Sequence, residues 1–566
     1  MEYAHPLYHQ LKIRQALYQD ETLGVGNFLF KVLAQDVNRW NALFALERPF
    51  MAPKGVWYAT LSLHDLATVV GELASWYLQQ GVVAGNIVCT YTSEGISQFL
   101  HFLALTSIRA IPAPVNCRMK PSIALLYHQK YHFDFLVYDA HDHSAALAEQ
   151  TRGMTGILAY GMADASLPVV PAGDWPAQYH RDDTVMICHS SGTTGIPKAV
   201  LFGHQQFFYG KRERLLSFLQ ADKEKMLCAL PHSHSAGISY LMTAVLLGLP
   251  TQVLSDLTGA GLRTHIAEFQ PTVLVGFPQT YSALAEMELA SGEFPFLRRF
   301  YNTGDTAHEV HIQALLKAAP DAGFYDGFGA SELGMALFGK ISTRDNVASG
   351  RCVGQPVPFA KVKIINELGQ RLPSGQIGYI AIESRSITAG YYRDEALTQR
   401  SRTDDGYWLT GDIGYLDREG AFYHLDRVVD VIHTPQGPAY TLELEELVLK
   451  QCAIDDITIV GVTQSPRASE MIVAMIKQTT AESVDLCRQV HAVLAAKLSD
   501  AAPVCVVNLA KAFVPPSGAT GKILKRVIRE RFWQDLQHYQ NQDRSTFEYV
   551  LDATARHRHD ELCSEI

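Results

Sequence analysis

The chain lacks the cysteine and histidine spacings that mark disulfide frameworks and metal sites. Its nine cysteines are scattered over 566 residues, and no two of them form a Cys-x-x-Cys pair. Among the 22 histidines there is no His-Glu-x-x-His run, and His232 and His234 have no third ligand at a suitable spacing. An odd number of scattered thiols predicts a reducing, cytoplasmic environment rather than a disulfide framework.

Positive charge and uninterrupted apolar runs are also scarce. The 48 Lys and Arg residues against 58 Asp and Glu leave a net charge of −10, which argues against a nucleic-acid partner. The first 20 residues contain no apolar signal-peptide core. The most membrane-like run, Ile238–Leu254, is interrupted by Gly248 and Pro250 and predicts a buried helix followed by a strand. We therefore expect no transmembrane segment.

What the sequence does contain is a regular alternation of strand and helix patterns. Strands are predicted at Tyr58–Leu61 and Ile87–Tyr91, and helices at Leu63–Gln80 and Ile96–Ile108, with Ser62 as the N-cap of the first helix. Such alternation is typical of α/β proteins with a largely parallel sheet. The chain is too long for one ordinary core, so several structural units are expected.

A loop of hydroxyl and glycine residues separates two short apolar runs, Val185–Cys188 and Lys198–Phe202. Its open backbone and its hydroxyls can surround an anion, and Lys198 adds a cation. A loop of this composition is, by itself, more often a surface turn. It also lacks the Gly-Lys-Ser/Thr ending of a Walker loop. The candidate anion-binding residues are Ser190, Ser191, Gly192, Thr193, Thr194, Gly195 and Lys198.

Two further strings contain polar groups suited to a phosphate ester. Ser331 and Glu332 end the run Phe324–Glu332, and a carboxylate is an oxygen ligand of the kind that Mg²⁺ prefers. Leu333 stands where the nucleophile elbow of a serine hydrolase needs its second glycine, which excludes that interpretation. Asp412 lies between two glycines at the predicted end of a strand. There its carboxylate can accept hydrogen bonds from two ribose hydroxyls or simply cap a turn.

In this order, the strings resemble those of the adenylate-forming (ANL) superfamily of acyl-CoA synthetases, luciferases and the adenylation domains of peptide synthetases. The resemblance extends over roughly residues 50–530. It implies an α/β fold with a large N-terminal domain of mixed sheets and helices, residues 1–426, and a smaller, mobile α+β C-terminal domain, residues 427–540. Residues 1–26 are an unassigned extension, and residues 541–566 are expected to form a helical and polar tail.

The resemblance also implies ATP and Mg²⁺ as cofactors. Lys522, which follows a Thr-Gly pair, would bridge the substrate carboxylate and the α-phosphate. Ser331 would bind the α-phosphate, Glu332 would hold Mg²⁺, and the hydroxyl loop would hold the β- and γ-phosphates. Asp412 and Arg427 would hold the ribose. The other residues expected at the nucleotide are Thr303, Gly304, Asp305, Asp326, Gly327 and Phe328.

The substrate that the resemblance implies is a small-molecule carboxylic acid. His234 falls at the family's aromatic position in the acyl-pocket wall, and no aspartate nearby can pair the ammonium of an α-amino acid. The implied reaction forms acyl-AMP and pyrophosphate, then passes the acyl group to a thiol, with CoA as the expected acceptor. Two alternatives stay open: loading of the phosphopantetheine of an acyl carrier protein, and a non-catalytic nucleotide- or acyl-binding homologue.

The linker and the hairpin after it depart from the family pattern. Val429 replaces the usual charged hinge residue, and Thr441 replaces a usual proline. Pro435 and Pro438 stiffen the hairpin that shapes the pantetheine tunnel in the family, because proline fixes φ and removes a donor. Since Lys522 lies beyond the hinge, the C-terminal domain must close to deliver it. These departures concern the thiol step and leave the residues of the adenylation step in place.

Overall fold

The computed structural model describes residues 11–35, 39–171, 183–190, 196–218, 224–305, 307–347, 350–463, 470–477, 484–498, 504–509, 516, 518, 523–536 and 548–551. Over these residues the chain alternates strands and helices and forms an α/β fold, which confirms the predicted fold class.

The helices are α1 (Leu11–Gln19), α2 (Phe28–Gln35), α3 (Leu63–Gln79), α4 (Ile96–Ser107), α5 (Pro121–Tyr131), α6 (Ser144–Gln150), α7 (His204–Ser217), α8 (Ser235–Leu247), α9 (Gly259–Phe269), α10 (Pro278–Ala285), α11 (Glu309–Ala318), α12 (Glu395–Arg400), α13 (Thr441–Gln451), α14 (Val484–Leu498) and α15 (Lys525–Leu536).

The strands are β1 (Ala42–Met51), β2 (Trp57–Ser62), β3 (Ile87–Tyr91), β4 (Ile111–Pro114), β5 (Phe135–Tyr138), β6 (Ile157–Ala159), β7 (Thr184–Ser190), β8 (Lys198–Gly203), β9 (Met226–Ala229), β10 (Thr251–Val253), β11 (Val273–Gly276), β12 (Arg299–Gly304), β13 (Gly323–Gly329), β14 (Ala336–Ser342), β15 (Cys352–Pro356), β16 (Lys361–Ile365), β17 (Gly378–Glu383), β18 (Gly390–Tyr391), β19 (Trp408–Leu416), β20 (Phe422–Arg427), β21 (Ile432–Thr434), β22 (Gly437–Ala439), β23 (Asp456–Val462), β24 (Met471–Lys477), β25 (Val504–Leu509) and β26 (Glu548–Leu551).

The elements predicted around Ser62 are confirmed. Ser62 Oγ accepts a hydrogen bond from the Asp65 backbone N–H at 3.1 Å, and the Asp65 carboxylate accepts from the Ser62 N–H at 3.0 Å. This reciprocal capping box satisfies two backbone donors and explains where α3 begins. The strand β3 has its predicted bounds, and α3 and α4 each end one residue before the predicted position.

The largest sheet has the strand order β16-β17-β19-β20-β15-β14-β13-β12-β11-β9-β10-β1-β2. From β1 through β10, β9, β11 and β12 to β13 its strands run parallel, so their carboxyl ends meet at one edge. The strands from β14 to β16 pair antiparallel. In this sheet, the predicted parallel arrangement therefore holds for the central strands and not for the outer ones.

Two smaller sheets complete the N-terminal region. The first, β4-β3-β5-β6, is parallel, and the second, β18-β8-β7, is antiparallel and brings together the two strands that flank the hydroxyl loop. The apolar run Ile238–Leu254 forms the buried part of α8, a left-handed cap at Gly248 and then β10, as predicted. Among the described residues, no helix has both the length and the apolar character to cross a membrane.

The C-terminal region has its own sheet, β23-β24-β25-β26, and its own core, in which Ile457, Ile472 and Val490 are buried. In the tail beyond residue 540, where the sequence predicts a helical and polar segment, the structure describes four residues. These residues, Glu548–Leu551, form a strand that pairs parallel with β25. Tyr and Val favour strands, and the edge of β25 offers backbone groups that a strand can satisfy.

The two regions contact each other through α13 and the start of α11. The Nδ1 atom of His308 lies 2.9 Å from the Glu446 carboxylate, and Lys450 forms an ion pair with Glu309 at 2.5 Å. Burial alone would raise the pKa of Glu446. The hydrogen bond from His308 and the charges of Arg351 and Lys450 outweigh burial and lower that pKa from 4.5 to about 2.

Glu446→Gln should make the protein less sensitive to acid. Because the folded-state pKa lies below the unfolded value, the stabilisation is complete above about pH 4.5 and is lost as the pH falls toward about 2. In urea unfolding over this window, the unfolding free energy of the wild type should fall more than that of E446Q, by at most about 3 kcal/mol. Glu383, in an exposed pair with Lys361, supplies the control, since E383Q should follow the wild type. Equal acid sensitivity of all three proteins would contradict the prediction.

Candidate active site

The candidate active site lies at the carboxyl edge of the parallel strands. His234 follows β9, Phe277 follows β11, Thr303 is near the end of β12, and Ser331 follows β13. All four line one cavity of about 370 Å³. Ligands bind at this edge of open parallel sheets because the loops that follow the strands converge there.

Ser331 and His234 are hydrogen-bonded although they are 97 positions apart in the chain. His234 caps α8, and its Nδ1 accepts the backbone N–H of Ala236 at 3.1 Å. In the neutral imidazole the proton is therefore on Nε2, which lies 3.3 Å from Ser331 Oγ. With His234 as donor, the Ser331 hydroxyl keeps its own proton for an acceptor in the cavity, such as a phosphate oxygen.

Glu332 is held at the edge of the cavity by Tyr391. The Tyr391 hydroxyl donates to the Glu332 carboxylate at 3.0 Å, and the Lys198 ammonium lies 5.4 Å from the centre of the Tyr391 ring. In the described part of the chain, no cluster of three or more His, Cys, Asp or Glu residues is arranged around a metal position. Glu332 nevertheless fits the common Mg²⁺ arrangement, in which one or two carboxylates, phosphate oxygens and waters complete the coordination.

The sequence predicted Asp412 at the end of a strand. In the structure it is instead buried within β19. A Cβ at Gly414 would lie 2.0 Å from the Tyr423 carbonyl oxygen, so this glycine allows close approach of β20 and does not end the strand. Asp412 Oδ1 lies 3.3 Å from His424 Nε2 and 3.7 Å from Arg427 Nε. Burial would raise the Asp412 pKa, but these two neighbours lower it below 3.8, so the carboxylate is ionised at neutral pH.

His424 also connects this cluster to Asp305. Asp305 Oδ1 lies 3.7 Å from His424 Nδ1 and 3.7 Å from Arg351 Nη2. The His424 imidazole thus lies between the carboxylates of Asp305 and Asp412. The sequence analysis did not single out His424, although a buried histidine requires polar partners. Thr303, Gly304 and Arg427 line the cavity next to this cluster.

Five residues predicted at the nucleotide do not line the cavity: Asp305 and Asp412, which contact His424, and Asp326, Gly327 and Phe328, which lie behind the cavity wall. Asp326 is 2% exposed, accepts from Asn302 Nδ2 at 2.5 Å, and lies 3.7 Å from Lys340 Nζ. The ring of Phe328 packs against those of Phe338, Phe422 and His424. The backbone of Gly327 is close to the Asn302 carbonyl oxygen, which a Cβ would approach to 3.0 Å. These three residues position the wall of the site through packing and hydrogen bonds within the sheet.

The part of the chain that the structure describes includes the flanks of the hydroxyl loop. Ser190 and Lys198 are paired across β7 and β8, and both line the cavity. Their position at the cavity is compatible with phosphate binding by the loop between them, which stays a prediction. The predicted site residues that lie outside the described part of the chain are Ser191, Gly192, Thr193, Thr194, Gly195 and Lys522.

The end of the cavity formed by α7 and α8 contains polar residues that the sequence analysis missed. His189, on β7, is 5% exposed, and burial lowers its pKa to about 4, so its ring is neutral at pH 7. Its Nε2 has no hydrogen-bond partner among the described residues. Arg214 and Tyr240 line the same end. The one sequence signal was the interleaving of cations with aromatic residues along α7.

Similarity to known proteins agrees with this geometry. The model of the protein family described as "AMP-binding enzyme" matches residues 40–392. The chain is 32% identical over 561 residues to a 3-aminoavenalumate diazotase of a Streptomyces species. The alignment covers 93% of this chain and 99% of that protein. It is 26% identical to a 3-amino-2-hydroxy-4-methoxybenzoate diazotase of Streptomyces cremeus, over 68% of this chain and 76% of the relative. A 4-coumarate–CoA ligase of Pinus taeda is 28% identical over 62% of this chain and 66% of the ligase.

Solved structures show the same fold. The crystal structure of an anthranilate CoA ligase in complex with anthranoyl-AMP superposes with a TM-score of 0.77 at 18% identity, over 95% of this chain and all of that one. An o-succinylbenzoate CoA synthetase from Bacillus subtilis gives a TM-score of 0.73 at 19% identity, over 90% and 98% of the two chains. The chain therefore belongs to the AMP-binding enzymes of the adenylate-forming (ANL) superfamily, and its chemistry is the ATP-dependent activation of an acid as an adenylate.

Proposed function

We propose that this enzyme activates nitrite with ATP and transfers the nitrite nitrogen to an aromatic amine, which forms a diazonium product. The observation that carries the proposal is the similarity to a diazotase at 32% identity over 93% of this chain. The CoA ligases among the relatives are less similar to it: that of Pinus taeda is 28% identical over 62% of this chain, and a sulfoacetate–CoA ligase of Cupriavidus necator is 24% identical over 79%. The departures at Val429 and in the hairpin of β21 and β22 agree with an acceptor other than a thiol.

The chemistry of this proposal balances without an external oxidant or reductant. An oxygen of nitrite attacks the α-phosphorus of ATP, pyrophosphate leaves, and a nitrosyl adenylate results. The amine nitrogen then attacks the nitrosyl nitrogen, the N–O bond to AMP breaks, and AMP leaves with the electron pair. The N-nitrosoammonium product loses both protons from the amine nitrogen, its oxygen takes up two protons in their place, and that oxygen departs as water to leave the diazonium ion.

The described residues fit the first of these steps. Two anions must approach each other, so oriented donors and cations must offset their repulsion. The Ser331 hydroxyl, positioned by His234, would donate to the α-phosphate, and Mg²⁺ held by Glu332 would neutralise phosphate charge. Asp412 would accept from the ribose hydroxyls, and Lys522 would bridge the two anions. Because nitrite is small, the part of the cavity that the nucleotide does not occupy is left largely for the amine.

A second candidate function is the ATP-dependent activation of a carboxylic acid followed by transfer to a thiol, either CoA or a carrier-bound phosphopantetheine. CoA ligases among the relatives support it. The hairpin also keeps Gly437, the first residue of β22, which pairs with Thr434 of β21. This function needs the same adenylation residues and differs only in the acid and the acceptor.

Isotope-labelled nitrite separates the two candidates. The purified enzyme is incubated at neutral pH with ATP, Mg²⁺, [¹⁸O,¹⁵N]nitrite and 3-aminobenzoate, and a phenolic coupler traps diazonium as an azo dye. We expect AMP that carries one nitrite oxygen and a dye that carries one nitrite nitrogen. A parallel reaction contains 4-coumarate or benzoate with CoA in place of nitrite and amine, and a reaction without enzyme measures spontaneous diazotisation.

The labels make the outcome decisive. ¹⁸O in AMP requires a direct bond between nitrite oxygen and the α-phosphorus, which uncatalysed diazotisation cannot produce. Thioester formation with CoA, without nitrite-dependent AMP release, would overturn the proposal and establish the second candidate.

A further inference from the structure

The cavity contains an arginine that has no counter-ion among the described residues. We propose that Arg214 binds a carboxylate on the aromatic amine, at the end of the substrate remote from the reacting nitrogen. The enzyme would then select aromatic amines that are also acids. This inference rests on the proposed function, because it assigns the amine of that reaction to this end of the site.

The contacts of Arg214 leave most of its donors unused. Its Nη1 atom lies 3.1 Å from Thr243 Oγ1 and 3.5 Å from the Ser239 carbonyl oxygen. Its guanidinium carbon lies 4.4 Å from the centre of the Tyr240 ring and 5.5 Å from that of Phe218. In the described part of the chain, Nε and Nη2 have no acceptor and no carboxylate forms an ion pair with the side chain.

A guanidinium in this position calls for an anionic ligand. Taking a charge out of water is costly unless the charge is paired, and Arg214 is partly buried at a cavity wall. Its planar fork matches the two oxygens of a carboxylate. Lys211, one turn earlier on α7, is 1% exposed and lies against the Phe207 ring. Burial, with the nearby Arg214 charge, lowers the Lys211 pKa well below its usual range, which makes Lys211 a poorer ligand for an anion.

The geometry of α8 sets the orientation of the substrate. His234 caps this helix beside Ser331, and Ser239, which Arg214 contacts, is five residues further along the chain. At about 1.5 Å per residue, the two positions are roughly 7–8 Å apart along the helix axis. Phe277 packs against His234, and Tyr240 packs against Arg214. An aromatic ring between them would place its carboxylate at Arg214 and its amine toward Ser331 and the adenylate.

The test compares 3-aminobenzoate with its neutral isostere 3-aminobenzamide. With ATP and nitrite saturating, kcat/KM for each amine is measured in the wild type and in Arg214→Met and Arg214→Lys. We expect the wild type to prefer the carboxylate on the order of 10–100-fold. R214M should bring the ratio of the two kcat/KM values close to one, and R214K should retain part of the preference, because lysine keeps the charge and loses the fork.

Arg344 supplies a matched control, because it is exposed in a turn away from the cavity and R344M removes the same charge. R344M should keep the wild-type ratio. A wild type that does not discriminate between the two amines overturns the inference without any variant, and so does a folded R214M that retains the full preference.

Failure of the proposed function gives a different result. If the wild type releases no AMP with nitrite and any amine, calorimetric titration of 3-aminobenzoate and 3-aminobenzamide into the AMP-loaded wild type and R214M still tests the anion site. Tighter binding of the carboxylate that is lost in R214M supports Arg214 as its ligand. Equal affinities of the wild type for both compounds overturn it.

Discussion

Lys522→Ala should lower the rate of adenylate formation by about 10²–10³-fold while the dissociation constant for ATP changes little. The physical reason is that a cation between the attacking oxygen and the α-phosphate acts mainly where charge is redistributed in the transition state. Lys522 lies outside the described residues, so the assignment depends on its Thr-Gly-Lys string before α15. Single-turnover pyrophosphate release, with nitrite and with carboxylic acids, measures the effect.

Two other lysines distinguish loss of chemistry from loss of structure. Lys525, one turn further on, is 2.9 Å from Glu445 and 2.7 Å from Thr441 Oγ1, so Lys525→Ala should destabilise the C-terminal region. The exposed Lys361 supplies a neutral control, and Lys361→Ala should behave as the wild type. Pyrophosphate release at the wild-type rate in folded K522A would remove Lys522 from the mechanism.

Asp412→Ala should weaken ATP binding by about 1.5–3 kcal/mol, or on the order of 10–100-fold in the dissociation constant. A carboxylate that holds the ribose acts in the ground state as well as in the transition state, so affinity should fall more than the rate at saturation. Asp412→Asn, which keeps the shape and removes the charge, should have an intermediate effect. Calorimetric titration with a non-hydrolysable ATP analogue measures these changes.

The control for Asp412 is Asp417, at the turn after the same strand. Its carboxylate accepts the backbone N–H groups of Glu419 and Ala421, both at 2.9 Å, and it is not part of the cluster of Asp412, His424 and Arg427 beside the cavity. Asp417→Ala should lower stability and leave the ATP dissociation constant unchanged. If folded D412A binds ATP as the wild type does, the ribose assignment is wrong.

Local signals in the sequence were sufficient for elements whose bounds depend on local physics. The helix after Ser62 begins where a serine and an aspartate three residues later can satisfy backbone donors, and that pattern is visible in the sequence. The placement of Asp412 within β19 was not, because the glycines on either side of it predict the end of a strand. The adjacent β20 requires Gly414 for close strand packing, which only the strand pairing reveals.

The residues at the substrate end of the site could not be predicted from the sequence for a different reason. Arg214 and His189 are not part of any recognised string, and they reach the cavity only because α7 packs against α8 and β7. The pairing of Glu332 with Tyr391 likewise joins residues 59 positions apart through β18. Short sequence motifs predicted the adenylation chemistry, whereas the choice of substrate depends on contacts between segments that are distant in the sequence.

The predicted division of the chain at Arg427 has a consequence for how such enzymes diversify. Arg214, His234, Phe277 and Ser331 all precede this position, whereas the hairpin of β21 and β22 follows it. Under the proposed function, the residues that recognise the acceptor amine and the lysine predicted to act in adenylation, Lys522, would belong to separate segments of the polypeptide. A gene fusion at this boundary would then pass on the substrate preference with the first segment, so new substrates could arise by mutation there without change to the segment that carries Lys522.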